Sequence, residues 1–277
     1  MYKCSHQREV VCIKTAVITG ASRGIGLELA KFLMKDGYFV YCLSRSAPNQ
    51  EEIDDMLMFR HVECDVSDET SIKKACAEIL EEAESIDILV NNAGIGVGGS
   101  IEHTAASCAK RIININLLGV VLVTSKLLPK LHESKGRIVN ISSVGGVFAL
   151  PYQALYSATK AGVISFSDAL RNELRPFGVR VMTVLPADVK TDFSRTSNID
   201  DGVYAEFSKK SIAKMERDEQ NGMTPRYVAR KTYRAMRRRR MPQQRVIGRG
   251  FGVLMFLTRF APKRFVNWLV FKLYGGV

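Results

Sequence analysis

A tyrosine and a lysine that could act together lie in the stretch ALYSATKAG, where Tyr156 and Lys160 are four residues apart. The stretch has the pattern of a helix start, and residues i and i+4 of a helix share a face, with roughly 5–6 Å between their Cβ atoms. A phenol has a reference pKa of about 10 and donates a proton poorly at neutral pH, but a nearby ammonium favours its ionised form. The pair therefore suits proton transfer to or from a substrate, although two side chains on a half-exposed helix face would have the same spacing.

A glycine-rich turn indicates a second kind of chemistry, the binding of a phosphorylated ligand. The stretch TGASRGIG places Gly20, Gly24 and Gly26 between a β-branched run and an amphipathic helix pattern. Glycines let the backbone approach a pyrophosphate closely, while the N-terminus of the following helix presents N–H groups to it. Three residues separate the first two glycines, so the spacing differs from the G-x-G-x-x-G fingerprint, and an ordinary turn between strand and helix is the alternative.

Alternating strand and helix patterns would position these residues. Apolar, β-branched runs start with TAVITG and end with RVIG, and helical patterns separate them, the longest over about 104–131. Near-continuous Val, Ile and Leu strands indicate a parallel sheet covered by helices on both faces. The sequence therefore predicts an α/β fold with a doubly wound, Rossmann-type parallel sheet of about seven strands over 12–248, followed by an extension at 249–277. The polar segment 188–223 has no clear periodicity and is expected to be a substrate lid.

Three motifs together resemble the short-chain dehydrogenase/reductase family: T-G-x-x-x-G-x-G at 19–26, N-N-A-G at 91–94 and Y-x-x-x-K at 156–160. The resemblance covers about residues 12–192. It implies a single Rossmann-type domain, a nicotinamide cofactor, no metal and an oxidoreductase that interconverts a carbonyl and an alcohol.

The same resemblance implies four catalytic residues. Tyr156 would be the acid, and Lys160 would support it and reach the nicotinamide ribose. Ser143, at the end of the strand GRIVNISS, matches the serine that polarises the substrate carbonyl. The serine before it must point the other way, because side chains alternate along a strand. Asn116 matches a helix asparagine that holds a water leading to the lysine, with the asparagine two residues earlier as its competitor.

The end of the second predicted strand favours NADP(H) as the cofactor. Family members that use NAD usually carry an acidic residue there, whereas this strand ends with Ser44 and Arg45, and Arg23 lies in the glycine turn. Two guanidinium groups suit a 2′-phosphate, although Arg45 would also fit a solvated surface cation. In LPADVKT, at 185–191, Ala187 replaces the glycine that usually follows the proline in this family, and its methyl group would crowd the close approach of the backbone to the cofactor. The resemblance assigns the other cofactor contacts to Gly20, Ser22, Gly24, Ile25, Gly26, Asp65, Val66, Asn92, Ala93, Gly94, Pro186, Val189 and Thr191, besides Tyr156 and Lys160.

Two segments, 145–153 and 192–222, are expected to form the substrate pocket around Ser143 and Tyr156. Their apolar side chains predict a lipophilic ketone or aldehyde of steroid, retinoid, fatty-acyl or similar type. These side chains are Phe148, Leu150, Pro151 and Phe193, whereas Asp200, Asp201, Lys209 and Lys210 are expected in solvent. The alternatives are a 3-oxoacyl-thioester reductase and an NADP(H)-binding sensor or scaffold. Such relatives typically lose the tyrosine or the lysine, and both are present.

The basic charge is concentrated at the C-terminal end of the sequence. The formal net charge is +12, and residues 224–277 hold 14 Lys and Arg but no Asp or Glu. Two apolar blocks there, 251–257 and 265–271, are shorter than the roughly 20 residues of a membrane-spanning helix. Apolar residues with interspersed cations favour a helix on a membrane surface, and a helix pair over the substrate mouth or a dimer contact is the alternative. Nucleic-acid binding is not expected, because Arg237–Arg240 lack an aromatic stacking platform and a DNA-binding motif.

Cysteine usage and the resemblance set expectations for compartment and assembly. Six cysteines form no C-x-x-C pair and no zinc-like spacing, which is typical of reduced thiols in a cytoplasmic protein. The polar start of the sequence lacks the apolar core of a secretory signal. The resemblance implies assembly through the helices around 104–131 and 156–175, and a homodimer is expected because the tail would block one of these contacts.

Overall fold

The computed structural model describes residues 13–49, 51, 53, 56–191, 195–197, 201–258 and 260–275. Strands and helices alternate through most of this length. In chain order they are β1 (Lys14–Thr19), α1 (Gly24–Lys35), β2 (Tyr38–Ser44), β3 (Phe59–Glu63), α2 (Glu69–Glu82), β4 (Ile88–Asn91), β5 (Gly96–Gly98), α3 (Ala106–Ile113), α4 (Gly119–Glu133), β6 (Arg137–Ile141), α5 (Ala154–Leu174), β7 (Arg180–Pro186), β8 (Arg195–Ser197), α6 (Ala205–Gln220), α7 (Pro225–Met236), β9 (Gln244–Ile247), α8 (Phe251–Leu257) and α9 (Lys263–Tyr274).

Seven of the described strands form one sheet in the order β3-β2-β1-β4-β6-β7-β9, and every neighbouring pair is parallel. The strand order reverses between β1 and β4, and ligands of such sheets bind beyond the carboxyl ends of the strands at this point. The predicted doubly wound α/β fold is confirmed, including the last strand, which pairs with β7.

The core has two apolar layers because both faces of the sheet are covered. Ala16 and Ile18 of β1 pack in the layer that contains α1 and α7, and Val17 between them packs in the layer of α2, α4 and α5. Side chains alternate along a strand, so burial on both faces requires an unbroken apolar run. The continuous Val and Ile runs in the sequence follow from this arrangement.

The long helix predicted over about 104–131 is present as α3 and α4, joined by a π-helical turn at Asn114–Leu118. Among the described helices, only the continuous segment Ala106–Glu133 is long and apolar enough to cross a bilayer. Val123, Leu127 and Leu131 are fully buried against the sheet, so this length and composition are those of a core helix. The π turn matters for the site, since such bulges are common at functional positions.

The segment 188–223 is more regular than its sequence indicated. It contains the 16-residue helix α6, and β8 pairs with β5. The helix faces inward with Ser208, Ser211 and Met215, which are spaced at three and four residues. Two of these are small polar residues, so the sequence showed no apolar stripe.

Asp201 is buried and not solvated, which corrects the sequence expectation. Its carboxylate accepts hydrogen bonds from the backbone N–H and the hydroxyl of Ser100. The N–H is shared between both carboxylate oxygens, and these two donors stabilise the buried carboxylate. The partner lies 101 residues earlier, and no local pattern marks such a contact.

Candidate active site

A cavity of about 1270 Å³ lies at the carboxyl edge of the sheet, at the reversal of the strand order. Gly26, Asn116 and Pro151 are not part of its wall, and Phe193 lies outside the described residues. The wall brings together Gly20, Ser22, Arg23, Gly24, Ile25, Ser44, Arg45, Asp65, Val66, Asn92, Ala93, Gly94, Ser143, Phe148, Leu150, Tyr156, Lys160, Pro186, Val189 and Thr191. Most residues that the sequence assigned to cofactor and substrate thus face one space.

The glycine turn is shaped to receive a ligand at the start of α1. Gly20 and Gly24 have φ angles of +66° and +61°, a left-handed conformation that favours glycine. A Cβ atom on Gly26 would lie 2.5 Å from the carbonyl oxygen of Gly20, so this position also requires glycine. The side chain at the N-cap position of α1, Arg23, makes no capping hydrogen bond to its first turn. Its N–H groups and positive dipole end therefore suit the pyrophosphate of a dinucleotide.

The N-N-A-G segment is tied to this turn by hydrogen bonds. The hydroxyl of Thr19 accepts from the backbone N–H groups of Asn92 and Ala93, at 2.9 and 3.1 Å. The side-chain amide of Asn92 donates to the carbonyl oxygen of Gly20 at 3.0 Å. Two adjacent strand ends therefore form one rigid edge of the cavity.

Tyr156 and Lys160 share the first turns of α5 and face the same part of the cavity. The Lys160 Nζ atom lies 5.8 Å from the centre of the Tyr156 ring. It donates a hydrogen bond to the carbonyl oxygen of Ile141 at 3.0 Å, and only 4% of the lysine is exposed. Burial lowers the pKa of Lys160 to about 8. The phenol therefore has beside it an amine that can change its charge near neutral pH.

The two serines at the end of β6 have different contacts. The Ser143 hydroxyl accepts a hydrogen bond from the backbone N–H of Gly145 at 3.0 Å. A Cβ on Gly145 would lie 3.3 Å from Tyr156 Cε1 and 3.4 Å from Ser143 Oγ, so these two side chains flank the glycine. Ser142 donates its hydroxyl to the carbonyl oxygen of Lys160 instead. The arrangement favours Ser143 as the residue that meets a substrate.

Asn116 lies in the π turn, fully buried behind the cavity wall. Its side chain accepts a hydrogen bond from the backbone N–H of Ile95 and donates to the carbonyl oxygen of the same residue, both at 2.8 Å. A Cβ on Gly94 would lie 3.3 Å from Asn116 Oδ1 and 3.4 Å from Lys160 Nζ. The asparagine therefore positions the backbone beside the lysine.

The residues at the ends of β2 and β3 face the adenosine side of the predicted cofactor site. Arg23 and Arg45 are exposed and line the cavity. Ser44 is buried, and its hydroxyl donates to the carbonyl oxygen of Ser46, so it shapes the loop. Burial raises the pKa of Asp65, but the hydroxyl and backbone N–H of Ser67 and the guanidinium groups of Arg45 and Arg111 outweigh it and lower that pKa. Asp65 is thus a carboxylate acceptor at this end of the cavity.

The methyl group of Ala187 lies against Gly248, which leaves room for it on that side. A Cβ atom on Gly248 would lie 2.7 Å from the Ala187 methyl carbon. The Ala187 N–H donates to the carbonyl oxygen of Ile247 at 2.8 Å, which holds the two segments together. Glycine at 248 therefore provides the space that alanine at 187 occupies.

The C-terminal helices form a wall of the cavity, which is the place that the alternative interpretation of this segment, a helix pair over the substrate mouth, gave them. Apolar residues of α9 recur every three to four positions in the sequence, and this spacing indicates a helix with one apolar face that could cover the cavity. Tyr274 of α9 donates to Asp218 of α6, and the Lys214 Nζ lies 5.1 Å from the Tyr274 ring centre. Burial and the carboxylates of Asp188 and Asp218 raise the pKa of Tyr274 to about 12. The tail residues in the wall are Phe251, Leu254, Leu257, Thr258, Ala261, Phe265, Val266, Leu269, Val270, Leu273 and Tyr274, and α6 adds Met215, Glu216, Glu219 and Gln220.

Comparisons with known proteins point in the same direction as the geometry. A family model described as short chain dehydrogenase matches residues 14–202. The chain is 35% identical over 238 residues to a 3-ketodihydrosphingosine reductase from Bacteroides thetaiotaomicron, which covers 84% of this chain and 87% of that protein.

Solved structures resemble this fold closely. An alcohol dehydrogenase from Thermococcus sibiricus in complex with 5-hydroxy-NADP matches with a TM-score of 0.69 and 26% identity over 84% of this chain and 94% of that one. A 3-ketoacyl-(acyl-carrier-protein) reductase from Brucella melitensis in complex with NADH matches with a TM-score of 0.69 and 28% identity. The match covers 84% of this chain and 96% of that one. Both forms of the nicotinamide cofactor therefore occur among these similar structures.

Proposed function

Because the chain belongs to the short-chain dehydrogenase/reductase family, and is thus a nicotinamide-dependent oxidoreductase acting on CH–OH groups, we propose that it uses NADPH to reduce a ketone on a long, lipophilic molecule. The observation that carries this proposal is the continuous cavity, in which the surroundings of Tyr156 lead to an apolar wall made by α8 and α9. Such a cavity has room for a dinucleotide together with an apolar chain.

Residues of this chain fit the cofactor along the whole carboxyl edge of the sheet. The uncapped start of α1 would hold the pyrophosphate, and Asp65 would accept hydrogen bonds from the adenosine end. Arg23 and Arg45 support NADPH, since guanidinium groups bind a 2′-phosphate through charge-assisted hydrogen bonds. When bound, the reduced nicotinamide supplies a hydride to the carbonyl carbon.

Tyr156 and Ser143 would act together at the carbonyl oxygen. Ser143 Oγ accepts a hydrogen bond from Gly145, so its own hydrogen can be donated to the substrate oxygen. Tyr156 donates its hydroxyl proton to that oxygen as negative charge develops there. The phenolate that remains is stabilised by the ammonium of Lys160, 5.8 Å from the ring centre.

Lys160 would then help to restore the proton on the phenol. An amine whose pKa is about 8 can give up and regain a proton near neutral pH, unlike an ordinary lysine. Asn116 holds the Ile95 backbone next to this amine and so keeps the cavity wall in place. Hydride and proton together convert the ketone to a secondary alcohol.

The substrate that we propose to test first is 3-ketodihydrosphingosine. A relative with 35% identity is named for its reduction, and a long alkyl chain matches the apolar side chains of α8 and α9 in the wall. Burial of an apolar chain is favourable by about 25 cal/mol per Å². A 3-oxoacyl thioester also carries a ketone on a long chain and belongs in the same assay.

We also propose a cytoplasmic homodimer. Cys42, Cys64 and Cys76 are buried free thiols, and burial raises their pKa to about 11, 11 and 12, so they stay protonated, which supports the cytoplasmic location.

The homodimer is supported by exposed apolar side chains on the α3–α4 helix. Ile113 and Leu118 are 42% and 43% exposed there, which supports a contact between copies.

The assay follows NADPH absorbance with the sphingoid ketone, a 3-oxoacyl thioester and a short water-soluble ketone, each for wild type and Tyr156→Phe. We expect wild-type turnover, and a loss of at least about 100-fold in kcat for the variant because its acid is missing. NADPH binding, measured by fluorescence, should stay within about twofold, since the phenol ring remains.

Two outcomes would count against the proposal. Near wild-type kcat in Tyr156→Phe would contradict the proton-transfer role. NADPH binding without turnover of any ketone by wild type would favour the sensor or scaffold.

A further inference from the structure

The helix pair α8–α9 has an apolar surface that does not belong to the cavity. We name it the outer face: large apolar side chains of this pair and its connection that are exposed but absent from the cavity wall. Their exposed fractions run from 46% for Phe271 to 76% for Phe260. Neither helix buries a residue in the protein core. The members of the outer face are Val253, Phe256, Phe260, Trp268 and Phe271.

Aromatic rings dominate this surface. Phe256 and Phe260 pack edge to face, with ring centres 5.4 Å apart. Trp268 stacks on Phe265, with ring centres 5.9 Å apart. Large exposed apolar patches with a polar rim mark protein–protein or membrane interaction sites. Trp and Phe side chains are favoured where an apolar phase meets water.

The cations around the outer face have one sign and no acidic neighbours on these helices. Arg249, Lys263, Arg264 and Lys272 are exposed, and residues 249–275 contain no Asp or Glu. Each such cation contributes about 1 kcal/mol of attraction to an anionic lipid surface. An isologous contact between two copies would instead bring like charges together.

The run Arg237–Arg240 does not belong to this surface. It precedes β9 and therefore lies at the amino edge of the sheet, opposite the cavity. Arg237 pairs with Asp36 at 3.3 Å, and Arg180 at the start of β7 donates to the Arg239 carbonyl oxygen. The attraction to lipid must therefore come from the cations of the helix pair itself.

The helix pair that carries the outer face also carries part of the cavity wall. Four residues of the helix pair both line the cavity and are exposed, by fractions from 37% to 57%; they are Leu254, Leu257, Phe265 and Leu273. These four side chains are apolar, so they would give a lipid an apolar path from the outside of α8–α9 into the cavity that Tyr156 lines. A lipid molecule that followed this path would not have to cross water, which costs about 0.8 kcal/mol for each exposed CH₂.

We propose that the outer face docks on an anionic membrane surface and that the cavity takes its substrate directly from the lipid. The docking stands on the outer face and its cations alone. The loading step rests on the proposed function, because it requires a lipophilic ketone as substrate.

Trp268 is the only tryptophan of the chain and reports on the outer face without any label. We expect its fluorescence emission to shift to shorter wavelength when vesicles of phosphatidylglycerol and phosphatidylcholine are added. The shift should be much smaller with phosphatidylcholine alone, and added salt should reverse it. The triple variant Phe256→Ser/Phe260→Ser/Phe271→Ser should bind the anionic vesicles at least roughly tenfold more weakly.

The matched control is Leu57→Ser/Phe177→Ser, which removes two exposed apolar side chains that precede β3 and β7 at the amino edge of the sheet. This variant should bind vesicles like wild type. No shift with anionic vesicles, or equal losses in both variants, would overturn the docking. A shift that depends on protein concentration without vesicles would assign the outer face to a second copy instead.

Loading is tested by kcat/KM for a long-chain ketone dissolved in vesicles and for a short ketone in water. We expect the triple variant to lose roughly tenfold on the first and nothing on the second. Unchanged kcat/KM on the vesicle substrate, despite weaker docking, would overturn direct loading. If wild type reduces neither ketone, the proposed function fails, and the Trp268 measurement still decides the docking.

Discussion

Burial sets the pKa of Lys160 at the proton-transfer end of the site, whereas hydrogen-bond donors and neighbouring charges set the pKa of Asp65 at the adenosine end. Desolvation is the cause that lowers the pKa of Lys160 to about 8, and the carbonyl of Ile141 holds its Nζ atom in place. Asp65 is also partly desolvated, yet the donors of Ser67 and nearby guanidinium groups keep it ionised. The proton-transfer end and the adenosine end of the cavity thus have opposite electrostatic character.

Lys160→Met should remove a side chain whose protonation favours the unfolded state below pH 10.5. Above its ordinary pKa of 10.5 the lysine is neutral in both states. As the pH falls from 10.5 to about 8, the unfolded chain binds the proton and the folded one does not, so stability decreases; below about 8 both are protonated. The unfolding free energy of wild type relative to Lys160→Met should therefore rise by about 3 kcal/mol from pH 8 to 10.5 in urea titrations. A difference independent of pH would contradict the lowered pKa.

Arg45→Ala should weaken NADPH without affecting NADH. Loss of charge-assisted bonds to a 2′-phosphate is worth about 1.5–3 kcal/mol, a factor of about 10 to 100 in KM for NADPH. The NADH value should stay within about twofold, because NADH lacks that phosphate. Arg238→Ala is the matched control, an exposed arginine at the opposite edge of the sheet. Equal losses for the two cofactors would show that Arg45 does not read the phosphate.

Single contacts join the elements of this structure, some by close packing and some by hydrogen bonds. Ala187 directly follows β7 and Gly248 directly follows β9, and the missing Cβ of Gly248 leaves space for the alanine methyl. The π turn between α3 and α4 similarly carries Asn116, which holds the backbone of Ile95. Asp201, just before α6, holds Ser100 near the cavity. Each contact joins segments that are distant in the chain.

Gly248→Ala should disturb both the predicted nicotinamide end of the cavity and the start of α8. Its Cβ would meet the Ala187 methyl at 2.7 Å and the Phe251 ring at 3.0 Å. Overpacking of this kind costs about 1–3 kcal/mol, and KM for NADPH should rise. The double variant Ala187→Gly/Gly248→Ala should recover most of both losses, which a double-mutant cycle measures.

Gly252→Ala is the control for this substitution, since nothing lies within 4 Å of the added atom. It should leave stability and KM unchanged. If the double variant is no better than Gly248→Ala, then the contact between positions 187 and 248 is not the cause.

At the scale of the whole molecule, the catalytic sheet and the C-terminal helix pair are built differently. The sheet is buried on both faces, whereas α8 and α9 bury no residue. They contact the rest of the protein where they form the cavity wall and where Tyr274 donates a hydrogen bond to Asp218. A unit without a share in the core contributes little to the stability of the domain. We therefore expect residues 12–248 to fold and bind cofactor without it.

A chain that ends at Arg249 should unfold within about 1 kcal/mol of wild type and bind NADPH within about twofold. It should lose vesicle binding and most of its kcat/KM for long-chain ketones, because one cavity wall is gone. Its activity on a short ketone should persist. Loss of folding or of cofactor binding would show that α8–α9 are part of the catalytic domain.

The sequence by itself determined the seven strands of the main sheet, the glycine turn and the relation of Tyr156 to Lys160, because each is encoded over a few neighbouring residues. Apolar runs buried on both faces need no distant partner to be recognised, and neither does an i, i+4 pair. The confirmed fold class follows from these local patterns.

Only the tertiary structure decided the features that depend on distant partners. It buried Asp201 against Ser100, made a helix of α6 despite its polar inner face, and matched Ala187 with Gly248. It also moved Arg237–Arg240 away from α8–α9, because the four residues of β9 carry the chain from one edge of the sheet to the other. Charge that is contiguous in the sequence is thereby divided between two ends of the molecule. The physical reason is that a strand separates its two ends in space, which a count of charges along the chain does not show.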